Sequence, residues 1–274
     1  MTKANIGFIG AGNMAQAIMG GLIKTGTAID QLFIYEPNEA LAQQLGVNPG
    51  VQAMRTSADL LEHCDVVVLA VKPQIMQAAL TGLKGVALKP DAFLVSVAAG
   101  LPINLMQKWL GMPHPMVRVM PNTPALVGAG VSGLFASDEV SEAQRQLAES
   151  ILRAVGSVIW VDEEAMIDAV TAVSGSGPAY FFYFIEALEK AALQNGLNAE
   201  QARILSLETA FGAAKLALES GVGAATLRER VTSPGGTTEA ALKTFEDLSI
   251  ANGIGEAVNA AAERARELAR LADT

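Results

Sequence analysis

Near the N-terminus the apolar run Ile6-Gly7-Phe8-Ile9 meets Gly10, Gly12 and Ala15, and Met14, Ile18 and Leu22 then recur at helical spacing. Strand, glycine turn and helix in so short a stretch commit the helix to packing back on its strand. Gly10 permits a sharp turn, Gly12 lets a pyrophosphate approach the backbone, and the small Ala15 lets helix and strand pack closely. Free N–H groups in the first helical turn suit phosphate oxygens. Dinucleotide binding is the expectation, although an ordinary strand-to-helix turn can hold two glycines as well.

The same alternation continues downstream. Residues 31–35 read as a second strand ending in Glu36-Pro37-Asn38, and an acidic residue at this distance from the glycines normally holds the adenine ribose hydroxyls. A carboxylate there repels the extra phosphate of NADPH, so Glu36 taken alone favours NADH, with Asn38 left as a phosphate partner. A helix over 38–45, a strand over 51–54 and a helix over 57–62 precede the unbroken apolar strand 65–71, which suits a parallel strand covered on both faces. Its end carries Lys72-Pro73, where an open α/β sheet binds ligands, so Lys72 is either a ligand contact or a surface lysine at a strand end. Helix 74–83, strand 93–97 with Ala98-Ala99-Gly100 beyond it, and helix 102–110 follow. Strand 116–120 leads to Pro121-Asn122-Thr123-Pro124, a preset loop. Strand 131–135, a helix announced by the capping-box pattern Ser141-x-x-Gln144, and strand 157–161 complete the first half.

From residue 162 onward the periodicity is helical, which divides the chain into 1–162 and 163–274. Helices are expected over 165–173, 178–194, 199–219, from 237 to about 248, and in a last segment reaching 272. Ala179-Tyr180-Phe181-Phe182-Tyr183-Phe184-Ile185 is apolar around most of a helix and so should be buried on all sides. One small domain can hardly achieve that, so an interleaved helical dimer is expected, with a central helix within one subunit as the alternative. Two loops interrupt this half. One is Ser174-Gly175-Ser176-Gly177-Pro178. The other, Val231 to Glu239, offers N–H groups at Gly236, Thr237 and Thr238 and hydroxyls at Ser233, Thr237 and Thr238, a receptor for a carboxylate or phosphate.

Bulk properties exclude several classes. A formal charge of −9 argues against a nucleic-acid or anionic-membrane surface, and no apolar window reaches the roughly 20 residues that a membrane span needs. The single Cys64 precludes an internal disulfide, and the start Met-Thr-Lys-Ala-Asn lacks a signal-peptide pattern, so a cytoplasmic location is expected. Two isolated histidines and one cysteine make no metal cluster, and structural roles are expected for His63 and His114.

GFIGAGNMA at 7–15, AVKP at 70–73, MPNTP at 120–124, SGSGPAY at 174–180 and VTSPGGTT at 231–238 together resemble pyrroline-5-carboxylate reductase. The resemblance spans nearly the whole chain and keeps motif order. It implies an α/β then all-α architecture: a Rossmann-type, doubly wound, mostly parallel sheet followed by a helical dimerisation domain. It also implies reduction of the cyclic imine 1-pyrroline-5-carboxylate to proline by NADPH or NADH. Ile9, Gly10, Ala11, Gly12, Asn13 and Met14 would surround the pyrophosphate and Glu36 the ribose. Ala70, Val71, Lys72, Pro73, Ala98 and Ala99 would line the nicotinamide side, with Asn122, Thr123 and Pro124 close by. Ser233, Gly235, Gly236 and Thr237 would take the substrate carboxylate, Thr238 would hydrogen-bond the ring nitrogen as the catalytic residue, and Glu164 would lie near the substrate. The family builds its site between two subunits and often assembles dimers into decamers. Glu36 departs from the Ser, Arg or Asn of many members, so cofactor preference does not transfer; Thr56-Ser57, where some relatives carry Asn-Thr or similar, and Arg228 and Arg230 are left unassigned.

A protonated imine needs orientation more than a strong acid, which suits a chain without a plausible His or Cys catalyst. A β-hydroxyacid dehydrogenase is the nearest rival, but Phe181 stands where its lysine would follow Gly177. A nucleotide sensor without turnover is the rival of another class, and it would have no use for a carboxylate receptor at 231–238.

Overall fold

The computed structural model describes residues 4–38 and 50–273, so most of the helix expected over 38–45 lies outside the described residues. Strand and helix alternate through β1 (Ile6–Ile9), α1 (Asn13–Lys24), β2 (Leu32–Tyr35), β3 (Gln52–Ala53), α2 (Ser57–His63), β4 (Val66–Leu69), α3 (Pro73–Thr81), β5 (Phe93–Ser96), α4 (Ile103–Leu110) and β6 (Met116–Met120). β7 (Gly130–Ala136), α5 (Glu142–Arg153) and β8 (Gly156–Trp160) complete one eight-stranded sheet of order β3-β2-β1-β4-β5-β6-β7-β8. Among the described residues only β6 and β7 pair antiparallel. The strand order reverses between β1 and β4, which opens a crevice beyond the ends of those two strands.

Period-two alternation sorts the core into two layers. Ile6, Phe8, Val66, Val68, Phe93 and Val95 face Ala15, Ile18 and Leu22 of α1 and Ile151 and Leu152 of α5. Ile9, Val67, Leu69 and Leu94 face Leu60 and Leu61 of α2, Met76 and Leu80 of α3, and Met106 and Leu110 of α4. Both faces are thus covered, as in a doubly wound sheet, and each fully buried side chain contributes about 1.5–3 kcal/mol. The expected capping box is formed: Gln144 N–H donates to Ser141 Oγ at 3.3 Å, and Ser141 N–H to Gln144 Oε1 at 2.8 Å. Thr56 and Asp59 form a second one at the start of α2.

After β8 the elements are helical: α6 (Met166–Val170), which runs into a π-turn (Thr171–Gly175), then α7 (Gly177–Gln194), α8 (Ala199–Glu219), α9 (Ala224–Arg230), α10 (Thr237–Asp247) and α11 (Ile250–Ala272). The helix expected over 165–173 is therefore broken by the π-turn. The seven-residue α9 was not expected, because so short a segment has too little length to show a period. By compactness the chain divides into Met1–Ser176 together with Ala261–Thr274, and Gly177–Ala260. The sheet ends at Trp160, while the compact units part after Ser176 and the end of α11 returns to the first.

Within the second unit α7 packs beside α8, whose start is capped by Asn198 and Gln201. Burial of α7 on all sides fails within one chain: Phe181, Phe182 and Tyr183 are 68%, 65% and 76% exposed. A helical pair with few further layers has no interior for these rings.

Candidate functional site

The glycine turn has the geometry that dinucleotide binding requires. Gly10 sits at φ +97°, and a Cβ there would lie 2.9 Å from the Ala70 carbonyl oxygen, so the loops after β1 and β4 abut. At Gly12 the nearest atom of the chain to an added Cβ is 3.9 Å away, which leaves that side open for a ligand. Gly12 is also the N-cap of α1 and supplies no capping side chain, and the first turn carries no acid. The first amide to bond within the helix is Gln16 N–H, to Gly12 O at 3.1 Å, so the N–H groups of Asn13, Met14 and Ala15 precede any intrahelical partner. These residues fit a pyrophosphate. Half-buried Glu36, one residue beyond β2, accepts from Ala11 N–H and Asn38 N–H at 3.0 Å each, which fixes its carboxylate against the glycine loop.

Beyond β6 the structure gives one expected ligand internal work. Asn122 is 8% exposed, and its Oδ1 accepts from Val131 N–H at 2.9 Å while its Nδ2 donates to Ser174 O at 3.1 Å. Both ends of its amide therefore tie backbone to backbone. Beyond it, the preset loop expected at residues 121–124 continues as a short 3₁₀ helix, Thr123–Val127, with Pro124 in its first turn. In the π-turn, Ser176 N–H donates to Thr171 O at 2.8 Å, one residue further back than an α-helix allows. Asn122 thus joins the MPNTP and SGSGP motifs. Lys72 and Ala99 are exposed, whereas Ala98 is buried.

Glu164 is held from two sides. Its Oε1 accepts from Arg118 Nη1 at 3.0 Å and from Ile103 N–H, at the start of α4, at 2.8 Å. Arg118 projects from the middle of β6 and is 3% exposed. Nothing in the spacing of residues 103, 118 and 164 announces this cluster.

The loop before α10 is a built turn. Ser233 O accepts from Gly236 N–H at 3.0 Å, and Gly235 lies at φ +71°, the geometry of a type II Pro-Gly turn. Gly236 N–H is thus occupied, a correction to the expectation that it is free for an anion. Gly235 N–H donates to Glu239 Oε2 at 2.8 Å, so Glu239 caps the turn. Thr237 and Thr238 open α10 behind an N-cap, Gly236, that offers no side chain, and the first amide to bond back into the helix is Ala240 N–H. Their N–H groups, with the hydroxyls of Ser233, Thr237 and Thr238, are the donors left to a ligand.

The remaining reactive side chains point elsewhere. Cys64 is buried, which pushes its thiol up to about 12, with Asp65 adding to the effect. His63 packs edge-on against Phe33 at 4.7 Å between ring centroids, and burial lowers the pKa of His114. An open depression lined by Gln77, Thr81, Lys84, Lys108 and Asp273 includes none of the expected ligand residues, and its Lys108 is paired with Asp273 at 2.9 Å. No described helix is long and apolar enough to cross a membrane.

Two family models match the chain: pyrroline-5-carboxylate reductase dimerisation over residues 164–268, and NADP oxidoreductase, coenzyme F420-dependent, over residues 5–100. The pyrroline-5-carboxylate reductase of Pseudomonas aeruginosa is 48% identical over 269 residues, 98% of each chain. Among solved structures, a pyrroline-5-carboxylate reductase from Coxiella burnetii superposes with a TM-score of 0.92 at 43% identity, over 97% of this chain and 99% of that one. The Plasmodium falciparum pyrroline carboxylate reductase with NADP bound gives 0.85 at 31%, over 98% and 99%. Identity of this order over the full length, with both halves matched in order, places the chain in the pyrroline-5-carboxylate reductase family.

Proposed function

We propose that the protein reduces 1-pyrroline-5-carboxylate to L-proline, the last step of proline biosynthesis, with NADPH or NADH as reductant. The observation that carries this reading is the pair of uncapped helix N-termini behind glycine turns. One, at Gly12–Asn13, suits a pyrophosphate, and the other, at Gly236–Thr237, suits a carboxylate. The reduced nicotinamide supplies the hydride for the imine carbon. The chain's own residues bind and orient: Gly10 to Met14 hold the pyrophosphate, and Glu36 the ribose. Ala70 to Pro73 and Ala98-Ala99 border the nicotinamide. Asn122-Thr123-Pro124 shape the same side from within the protein rather than by offering the Asn122 amide. Ser233, Thr237 and Thr238 fix the carboxylate through hydroxyl and N–H groups, with Gly235 and Gly236 forming the turn. Thr238 also hydrogen-bonds the ring nitrogen, and Glu164 faces the substrate. Residues 1–162 serve the cofactor and residues 163–274 serve substrate and dimerisation.

Phe181 in α7 stands where a β-hydroxyacid dehydrogenase would carry its lysine, so the chain lacks the base for alcohol oxidation. A non-catalytic sensor would leave the turn at Ser233–Gly236 without a purpose. The enzyme is a homodimer, five dimers close into a decamer, and it acts in the cytoplasm. Oxidation of NADH and NADPH, followed with and without pyrroline-5-carboxylate, tests the assignment. Substrate-dependent oxidation is expected, and none with either cofactor would sink it. Thr238→Ala lowers kcat/KM by about 10²-fold if its hydroxyl positions the ring nitrogen. Parent activity in that variant removes the role from Thr238.

A further inference from the structure

We infer that Arg118 is a positioning residue for imine reduction, acting through Glu164, an inference that rests on the proposed place of Glu164 at the substrate. β6 puts Val117 and Val119 into one apolar layer and Met116 into the other, and Arg118, on the Met116 face, is a cation in the middle of a buried strand. Such burial is costly unless the charge has a specific partner. Its side chain is 4% exposed, and its Nη1 donates to Glu164 Oε1 at 3.0 Å. Asp168 Oδ1 stands 3.8 Å from Nη2, too far for a hydrogen bond, and Nε and Nη2 have no hydrogen-bond partner among the described residues. A motif serving stability alone would be expected to satisfy the whole fork.

The geometry divides the two oxygens of Glu164. Oε1 takes both Arg118 Nη1 and Ile103 N–H, so it is pinned between the β6 strand and the start of α4. Oε2 accepts no hydrogen bond from the described residues, and the side chain keeps a quarter of its surface exposed. One oxygen is anchored and the other is presented. A presented carboxylate oxygen suits the positive charge of a protonated cyclic imine, whose single N–H stays with Thr238. Arg118 holds that oxygen in one place, and Ile103 N–H couples it to the segment Ala98–Leu101 that leads into α4.

The test measures kcat, the KM for pyrroline-5-carboxylate, the KM for the nicotinamide cofactor and Tm in Arg118→Met, Arg118→Lys, Glu164→Gln and the double variant Arg118→Met/Glu164→Gln. The imine KM rises about tenfold in Arg118→Met and in Glu164→Gln, while the cofactor KM stays within about twofold. Arg118→Lys, which keeps a cationic donor, recovers most of the loss. The double variant falls no further than the worse single variant, because both changes act through the same carboxylate. Should Arg118→Met fail to accumulate as a folded dimer, Arg118→Gln takes its place with the same expectations. A folded Arg118→Met enzyme with parent imine KM overturns the inference, as do losses that multiply in the double variant. A parent enzyme that turns over the imine while Glu164→Gln keeps the parent KM overturns this inference alone. A parent enzyme with no turnover overturns the reductase reading instead.

Discussion

At the scale of single residues, Glu36 is fixed more firmly than a strand-end carboxylate need be. Two backbone N–H groups hold it at 3.0 Å each, so it cannot swing aside for a 2′-phosphate without breaking both bonds. Like charges brought together at a binding site cost several kcal/mol, and each 1.4 kcal/mol is tenfold. The enzyme is therefore expected to show at least a tenfold higher kcat/KM with NADH than with NADPH, and Glu36→Ser to narrow that ratio. Steady-state kinetics with both cofactors check this; a parent preference for NADPH, or a ratio unmoved in Glu36→Ser, removes the role from Glu36. The glycines and Glu36 were legible in the sequence because their spacing is local. The Arg118–Glu164–Ile103 contact was not, because it joins three elements far apart in the chain and a lone arginine in a strand looks like any other. Gly236 was misjudged for a related reason: the sequence shows a donor, and only the turn shows where the hydrogen goes.

Among elements, the π-turn after α6 is the least regular, and Asn122 is what holds it to β7. Helical periodicity runs smoothly through residues 165–173 and gives no sign of the extra residue, so a continuous helix was the natural expectation. Asn122→Asp keeps the acceptor for Val131 N–H but loses the donor to Ser174 O, whereas Asn122→Ala loses both. Removing one partner of a buried hydrogen bond costs about 1–3 kcal/mol. Both variants are expected to lower Tm, Asn122→Ala by more, and calorimetry measures the difference. Equal Tm in all three proteins contradicts a tie through this side chain. The strands and the cap at Ser141, by contrast, were readable in advance, since alternation and Ser-x-x-Gln act over a few residues.

For the molecule as a whole, two-layer packing accounts for the first unit and leaves the second unfinished. Phe181, Phe182, Tyr183, Phe211 and Leu218 all lie well exposed on helices of one chain. Large apolar side chains left exposed in this way suit an interface, and the match to a dimerisation family over residues 164–268 agrees with an oligomer. The apolar helix was legible in the sequence, where its girth already points to an interleaved dimer, and within one chain its rings stay exposed. Phe182→Glu is expected to shift the protein from dimer to monomer in light scattering and to abolish most activity. A variant that stays dimeric shows that the face around Phe182 is not the interface.

A reductase of this family converts a cyclic imine bearing a carboxylate to an amino acid. The most direct measurement follows proline formed from pyrroline-5-carboxylate against NADH or NADPH consumed by the purified protein. One L-proline is expected for each reduced nicotinamide oxidised, with no oxidation when the imine is omitted. Nicotinamide oxidation without proline, or no imine-dependent oxidation with either cofactor, would contradict it.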